Sequence, residues 1–159
     1  METAYVSILV KSLEDKLATL NRILDLNKQQ TILLGDANVL PEELEQNMEY
    51  KANLVKELER LDEGFESTFD HVREALNENR QQYAEEIARM QELIKAIMEA
   101  TTTVQTQEIR NRESAKRKFA QVKSQVKGVR NSQKVVNQYY ENMRRQKESF
   151  VAQRFDDKK

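Results

Sequence analysis

The stretch that decides the fold class runs from residue 41 to residue 104 and reads PEELEQNMEYKANLVKELERLDEGFESTFDHVREALNENRQQYAEEIARMQELIKAIMEATTTV. Its apolar side chains recur every three or four residues, which is the spacing of one face of an α-helix. Many of them also share one seven-residue repeat, which predicts a coiled-coil seam. The seam residues are Met48, Val55, Phe69, Leu76, Tyr83, Met90, Ile97 and Val104, and Asp62 alone interrupts the repeat.

This pattern predicts one long helix over residues 41–100. At 1.5 Å per residue the helix would extend for about 90 Å, so we expect the molecule to be a rod. Gly64, Asn77 and Asn79 are the positions at which the helix is expected to bend, because glycine and residues that compete for backbone hydrogen bonds weaken helices locally.

The composition supports an all-helical fold. The chain of 159 residues has three glycines and one proline, whereas turn-rich β and α/β folds need many more such positions. It has no cysteine, which excludes disulfides, thiolate nucleophiles and Cys-ligated zinc and fits a reducing compartment. The longest apolar run is Ile8 to Val10, so we expect neither a signal peptide nor membrane insertion. These features predict a soluble cytoplasmic protein.

A first helix is predicted over residues 3–34. Thr3 suits its N-cap, and Gly35 is a stop signal. A short loop then leads to Pro41, which favours the first position of the next helix. Helices joined by so short a loop usually pack antiparallel. The apolar stripe of the first helix consists of Val6, Leu9, Leu13, Leu17, Leu20 and Leu24.

A second turn is predicted at residues 101–103, where three consecutive threonines interrupt the apolar pattern. The pattern then resumes and predicts a basic helix over residues 107–153, weakened by Gly128. Residues 154–159 form a solvated tail. The sequence therefore predicts an all-α single domain over residues 1–159, an elongated antiparallel helical bundle or coiled coil of about three long helices.

Charge is divided unevenly along the chain. Residues 1–100 carry 11 basic and 21 acidic side chains, whereas residues 101–159 carry 15 basic and 6 acidic ones. If the chain folds back, the basic third would pair with the acidic residues 41–100. Nucleic acid is the alternative partner. The stretch NRESAKRK at residues 111–118 is similar to the basic region of leucine-zipper factors, but Phe119 breaks that pattern, which disfavours nucleic acid.

Catalytic chemistry is not indicated. His71 is the only histidine, so the paired Glu-x-x-His motifs of a di-iron bundle cannot be assembled within one chain. The sequence has no phosphate-binding glycine loop, no nucleophile elbow and no metal-ligand spacing. We therefore expect no enzyme activity, no metal site and no cofactor, with His71 a partly exposed helical residue.

Four stretches carry a resemblance to a known family. They are YVSILVKSL at residues 5–13, LDEGFE at 61–66, MQELI at 90–94 and VVNQYY at 135–140. Over residues 3–155 the chain resembles the FlgN family of flagellar export chaperones, in the form seen in flagellated Firmicutes. The resemblance implies a helical, cytoplasmic, non-enzymatic chaperone. Its partners would be hook-filament junction proteins or other late flagellar axial proteins, and the type III export gate.

The resemblance places client binding in the C-terminal part of the chain, where an amphipathic helix packs against helical ends of the client. The valine-rich, basic, glycine-interrupted helix predicted there is also the segment best able to detach from the rest. The alternative is that the same stripe is the bundle core, and the two interpretations are compatible if the client replaces an intramolecular partner. The candidate client-binding residues are Phe119, Val122, Val126, Val129, Val136, Tyr139, Tyr140 and Met143.

A rival interpretation is a structural coiled-coil scaffold. In that case the seam from Met48 to Val104 would join two chains in a homodimer. The rival requires a stable oligomer in the absence of any client.

Overall fold

The computed structural model describes residues 2–121 and 133–145, and within them it is all-helical, with four helices packed together and no strand. The long helices are α1 (Glu2–Gly35), α2 (Pro41–Glu78) and α3 (Ala84–Gln121). Residues 133–145 form the fourth, α4. The all-helical fold class is confirmed.

The connection between α1 and α2 has the predicted character. α1 ends at Gly35, one residue beyond the expected end, and α2 begins at Pro41 after Leu40 in an extended conformation. The backbone N–H of Asn38 donates to Oδ1 of Asp36 (2.9 Å), an Asx-type turn. Proline at the first helical position loses no hydrogen bond, because the amide there has no partner within the helix.

The prediction of one helix over residues 41–100 is wrong, because the chain reverses direction between Glu78 and Ala84. Asn79 caps α2: its backbone N–H and its side-chain Nδ2 both donate to the carbonyl of Ala75, each at 3.0 Å. This competition of an asparagine side chain for backbone groups ends the helix. Folding back lets one chain bury apolar residues from both halves of the predicted seam. The 90 Å single helix is thereby replaced by two 38-residue helices.

The predicted turn at residues 101–103 is also wrong, because the three threonines lie inside α3. Their hydroxyls donate to the carbonyls four residues earlier, from Thr101 to Ile97 (2.7 Å) and in the same way from Thr102 and Thr103. Such back-bonding satisfies the hydroxyl within the helix, so three β-branched residues do not interrupt it.

The predicted start of the basic helix 107–153 is also wrong. No turn directly precedes residue 107, because residues 107–121 are the end of α3. Residues 133–145 agree with the helical prediction. Residues 122–132, with Gly128, and the predicted tail at 154–159 lie outside the described residues. α2 is continuous through Gly64, the first of the expected bends.

Hydrogen bonds between helices give their relative directions. Ser12 of α1 donates to the carbonyl of Leu61 near the middle of α2, whereas Asn47 near the start of α2 donates to Leu26 of α1, so these two helices are antiparallel. In α3, Arg89 contacts Glu14 and Lys118 donates to the carbonyl of Asp36, so α3 runs parallel to α1.

The apolar core contains every residue of the predicted seam. All eight are buried, from Met48 at one end of α2 to Val104 in α3. α1 contributes Val6, Leu9, Leu13, Leu20 and Ile23 to the same cluster. A smaller cluster at the α1–α2 loop contains Leu34, Leu44, Met48, Ala115 and Phe119. No described helix combines the length and the apolar character that crossing a membrane requires.

Candidate functional site

Five of the eight candidate client-binding residues lie in the described part of the chain, and all five are buried. Val136, Tyr139, Tyr140 and Met143 share one face of α4 and belong to the main core cluster. Phe119, near the end of α3, belongs to the smaller cluster. Val122, Val126 and Val129 lie outside the described residues. The structure therefore brings four candidates together on one face of α4, and this face packs against the other helices.

Tyr139 joins α4 to α2 through the residue that interrupts the heptad repeat. Its hydroxyl donates to Oδ2 of Asp62 (2.9 Å), and the other oxygen, Oδ1, pairs with Nζ of Lys16 on α1 at 2.5 Å. One carboxylate thus receives donors from two helices. Burial raises the pKa of Tyr139 far above its ordinary value, and the charge of Asp62 adds to this effect. The hydroxyl consequently keeps its proton and acts as a donor.

A second polar group lies in the interior around Lys51. Its side chain is 0% exposed, and Nζ donates to Oε1 of Glu108 (2.6 Å), Oε1 of Gln30 (2.8 Å) and Oδ1 of Asn27 (2.9 Å). The three acceptors use all three protons of the ammonium group. Lys51 comes from α2, Glu108 from α3 and the two amides from α1, so one side chain joins three helices.

Asn111 and Gln133 extend this group. Nδ2 of Asn111 donates to the Gln30 side chain and to the carbonyl of Asn27, both at 3.1 Å. Gln30 in turn donates to Gln133 of α4 at 3.3 Å. We call the connected set the polar layer: Asn27, Gln30, Lys51, Glu108, Asn111 and Gln133. It crosses all four helices of the described structure.

The electrostatic balance of the polar layer is unfavourable for a charged lysine. Burial lowers the pKa of Lys51, and the nearby Glu108 carboxylate acts in the opposite direction. In a buried ion pair of this kind, the free-energy cost of desolvating both charges offsets much of the attraction between them. Its more specific effect is on register, because sliding one helix past another would leave a charge buried without its partner.

Two polar atoms between α3 and α4 have no hydrogen-bond partner among the described residues. They are Oε2 of Glu108 and the hydroxyl of Tyr140, both buried. Burial raises the pKa of Tyr140 well above its ordinary value, and Glu108 contributes to the same shift, so the carboxylate acts electrostatically on this hydroxyl. Among the described residues, the contact of α4 with α3 therefore leaves two buried polar atoms without a hydrogen bond, which weakens this attachment.

Sequence reasoning missed the polar layer, although a signal was present. Lys51 lies between Met48 and Val55 at the three- and four-residue spacing of the α2 stripe, and Glu108 follows Val104 in the same way in α3. Polar residues at core positions of several helices indicate side chains that meet in the interior. Apolar periodicity by itself does not identify Lys51 and Glu108, because neither side chain is apolar.

The structure also bears on the basic segment that is similar to a DNA-binding region. Asn111 and Ala115 of NRESAKRK are buried, at 1% and 3% exposure. In this conformation neither side chain is available to a base edge. The sequence predicts that the basic residues 101–159 pair with the acidic residues 41–100. The Lys51–Glu108 ion pair joins these two segments with the opposite polarity, because the acidic segment supplies the lysine and the basic segment supplies the glutamate.

Within residues 2–121 and 133–145, no group of three or more His, Asp or Glu side chains could hold a metal ion. His71 is exposed, and its ring stacks on Tyr5 at 5.5 Å between centroids. A shallow groove between α1 and α2 is lined by Asp15, Thr19, Arg22, Asn53 and Glu57 among others.

Comparisons with protein-family models, with curated proteins and with solved structures find no match to the chain. The residues of α4 and the polar layer are therefore interpreted from their own contacts.

Proposed function

We propose that the chain is a cytoplasmic flagellar export chaperone of the FlgN type. It binds helical ends of hook-filament junction proteins, or of other late axial proteins, and delivers them to the type III export gate. The four stretches of family resemblance named above support this proposal. In it the helices act as an elongated antiparallel bundle that presents α4, and the protein has no enzymatic role.

The observation that carries the proposal is the mixed character of the α4 interface. Of its five buried side chains, Gln133, Val136, Tyr139, Tyr140 and Met143, only Val136 and Met143 are purely apolar. A 13-residue helix is marginal by itself, so α4 depends on this interface. An interface with unpartnered polar atoms opens at a lower free-energy cost than an apolar one.

Client binding then follows as an exchange of partners. When α4 leaves the other three helices, its face regains a partner by packing on a helix of the client. The client-contact residues that we propose are the candidate stripe from Phe119 to Met143. Burial of its five described members before binding also keeps these side chains from associating with the wrong partners.

The scaffold alternative requires a coiled-coil seam that is available to a second chain. The seam that would join two chains is buried within one chain, from Met48 to Val104. A homodimer through that seam would have to open the core first.

The test is affinity capture from a nuclease-treated lysate of a flagellated culture, with the full-length chain as bait. We expect flagellar junction or filament proteins in near-stoichiometric amounts. Val136→Asp should abolish this capture because Val136 is 0% exposed on the α4 face, whereas the adjacent Val135, at 46%, lies outside it. Val135→Asp is therefore the matched control. Undiminished capture by Val136→Asp, or recovery of the bait alone, would contradict the proposal.

Point substitutions are preferable here to removal of residues 107–159. The segment from residue 107 includes Glu108, Asn111 and Ala115, which are buried among the other helices. A truncation would thus damage the polar layer and the core together with the proposed binding helix.

A further inference from the structure

The partners of α4 inside the chain show what chemistry its face accepts. Tyr139 donates to the Asp62 carboxylate, and the buried Tyr140 hydroxyl lies within the electrostatic influence of Glu108. The two tyrosines are consecutive; Tyr139 has a carboxylate as its acceptor, whereas the Tyr140 hydroxyl has no hydrogen-bond partner among the described residues. Apolar packing by Val136 and Met143 accompanies these contacts. The face is therefore an apolar stripe with two adjacent hydroxyl donors.

Each of these carboxylates already has a lysine partner on one oxygen. Lys16 pairs with Oδ1 of Asp62, and Lys51 pairs with Oε1 of Glu108. The second oxygen of Asp62 accepts from α4, and the second oxygen of Glu108 has no partner among the described residues. Within the chain, Tyr139 thus donates to the carboxylate oxygen of Asp62 that Lys16 leaves open.

The solvent-facing flank of α4 is basic. Lys134, Arg144 and Arg145 are exposed, against a single acidic residue, Glu141. A helix that packs along this face would have its own flanking residues close to these cations. Acidic flanks would favour the pairing and direct the orientation of the approaching helix.

From these contacts we infer that the face of α4 (residues 133–145) binds an acidic amphipathic helix whose apolar stripe carries a carboxylate facing Tyr139. This inference rests on the proposed function, in which α4 leaves the other helices to meet a client. The partner helix reproduces what α2 supplies at Asp62: an apolar surface with one oxygen acceptor for a buried hydroxyl. A partner without that acceptor leaves the Tyr139 hydroxyl buried and unpartnered.

The test uses a peptide that contains the residue of α2 to which Tyr139 donates. The probe is a fluorescently labelled peptide with the sequence of residues 51–72, which contains Asp62. The receptor is the full-length chain with Asp62→Ala, in which the Tyr139 hydroxyl has lost its acceptor on α2. Binding is followed by fluorescence anisotropy for this peptide and for the same peptide with Asp62→Asn.

We expect the carboxylate peptide to bind roughly tenfold more tightly than its amide counterpart, because a hydrogen bond to a charged acceptor is stronger than one to a neutral acceptor. Adding Tyr139→Phe to the receptor should remove this difference. Tyr50→Phe is the matched control, because Tyr50 is an exposed tyrosine of α2 whose hydroxyl accepts from Gln46. It should leave the tenfold ratio unchanged.

Equal affinities for the two peptides would overturn the inference, as would a ratio that survives Tyr139→Phe or the failure of both peptides to bind. A dimer of the Asp62→Ala chain without peptide, detected by sedimentation, would also overturn it, since a second copy would then be the occupant. The proposed function is tested separately by capture. Tyrosine-dependent peptide binding without flagellar proteins in the lysate experiment would reject the function and retain the binding face.

Discussion

Lys51 occupies a position of α2 at which the spacing of the neighbouring apolar residues predicts another apolar side chain. It lies three residues after Met48 and four before Val55, and it reaches three acceptors on two other helices. The ammonium group is therefore satisfied by geometry that only the packed helices provide. Its contribution is better described as a requirement for one register than as net stabilisation.

The ion pair at Lys51 gives a prediction about stability. Lys51→Met leaves Glu108 charged and buried without its partner, which should lower the free energy of unfolding by about 3–5 kcal/mol. Adding Glu108→Leu removes that unpaired charge, so the double variant should be more stable than the single one. Urea unfolding followed by far-UV circular dichroism measures both. A double variant less stable than Lys51→Met would show that the pair is not coupled.

The buried tyrosines give a prediction about pH. Their pKa values are raised above the ordinary 10.0 in the folded chain, so the stability they contribute is present below pH 10 and is lost as the pH rises above it. Lys51 has the opposite sign, because its pKa is lowered from 10.5 and the cost of burying its charge falls as the pH rises towards that value.

Comparison of the wild type with Tyr139→Phe/Tyr140→Phe isolates the tyrosines, since Lys51 is common to both. The free energy of unfolding of the wild type should fall more steeply above pH 10 than that of the variant. Parallel pH profiles for the two proteins would show that these hydroxyls are not buried as described.

At the scale of the elements, the boundaries follow from local hydrogen bonding. Asn79 ends α2 because its side chain and its backbone N–H both reach the carbonyl of Ala75. The threonines at 101–103 leave α3 intact because their hydroxyls bond back to carbonyls within the same helix. Both are polar interruptions of the apolar pattern, and they have opposite effects.

Thr102 and Thr103 provide the prediction at this scale. Both are exposed and helical, so Thr102→Ala/Thr103→Ala should raise the free energy of unfolding by about 1 kcal/mol through helix propensity alone. Asn38→Ala, in the loop between α1 and α2, serves as the control and should change stability by less than about 0.5 kcal/mol. Thermal or urea unfolding is sufficient for the measurement. A loss of stability in the threonine variant would favour the turn that the sequence predicts.

At the scale of the whole molecule, all eight seam residues are buried within one chain. The residues that predict a coiled coil face the core formed by the described helices, so a partner chain is not required to cover them. The exposed large apolar residues, such as Ile32 and Ile109, lie outside the seam.

We therefore expect the purified protein to be a monomer. Sedimentation equilibrium should give a mass near 18.7 kDa at micromolar concentration. A stable dimer that dissociates when a charge is placed at a seam position such as Val55 would support the scaffold interpretation. Val135→Asp offers a control, because this exposed valine is not part of the seam.

The sequence alone determines the helical class and the apolar stripes of this protein, because three- and four-residue spacing and a near absence of glycine and proline are local properties. It also places the C-terminal end of α1 and the start of α2, where Gly35 and Pro41 act on their own backbone, whereas Thr3, the predicted N-cap, lies inside the helix that includes Glu2. It predicts the apolar face of α4 correctly, as the burial of Val136, Tyr139, Tyr140 and Met143 shows.

Only the tertiary structure decides where the long helix folds back, because the same seven-residue spacing suits either one long helix or two packed together. It alone decides the roles of Lys51, Glu108 and Asp62. Each is a charged residue at or near a core position, and it is tolerated there because donors and acceptors from other helices meet it. These partners are distant in sequence, for example Lys51 with Glu108 and Asp62 with Tyr139. Their proximity is a property of the packed helices, which no local pattern contains.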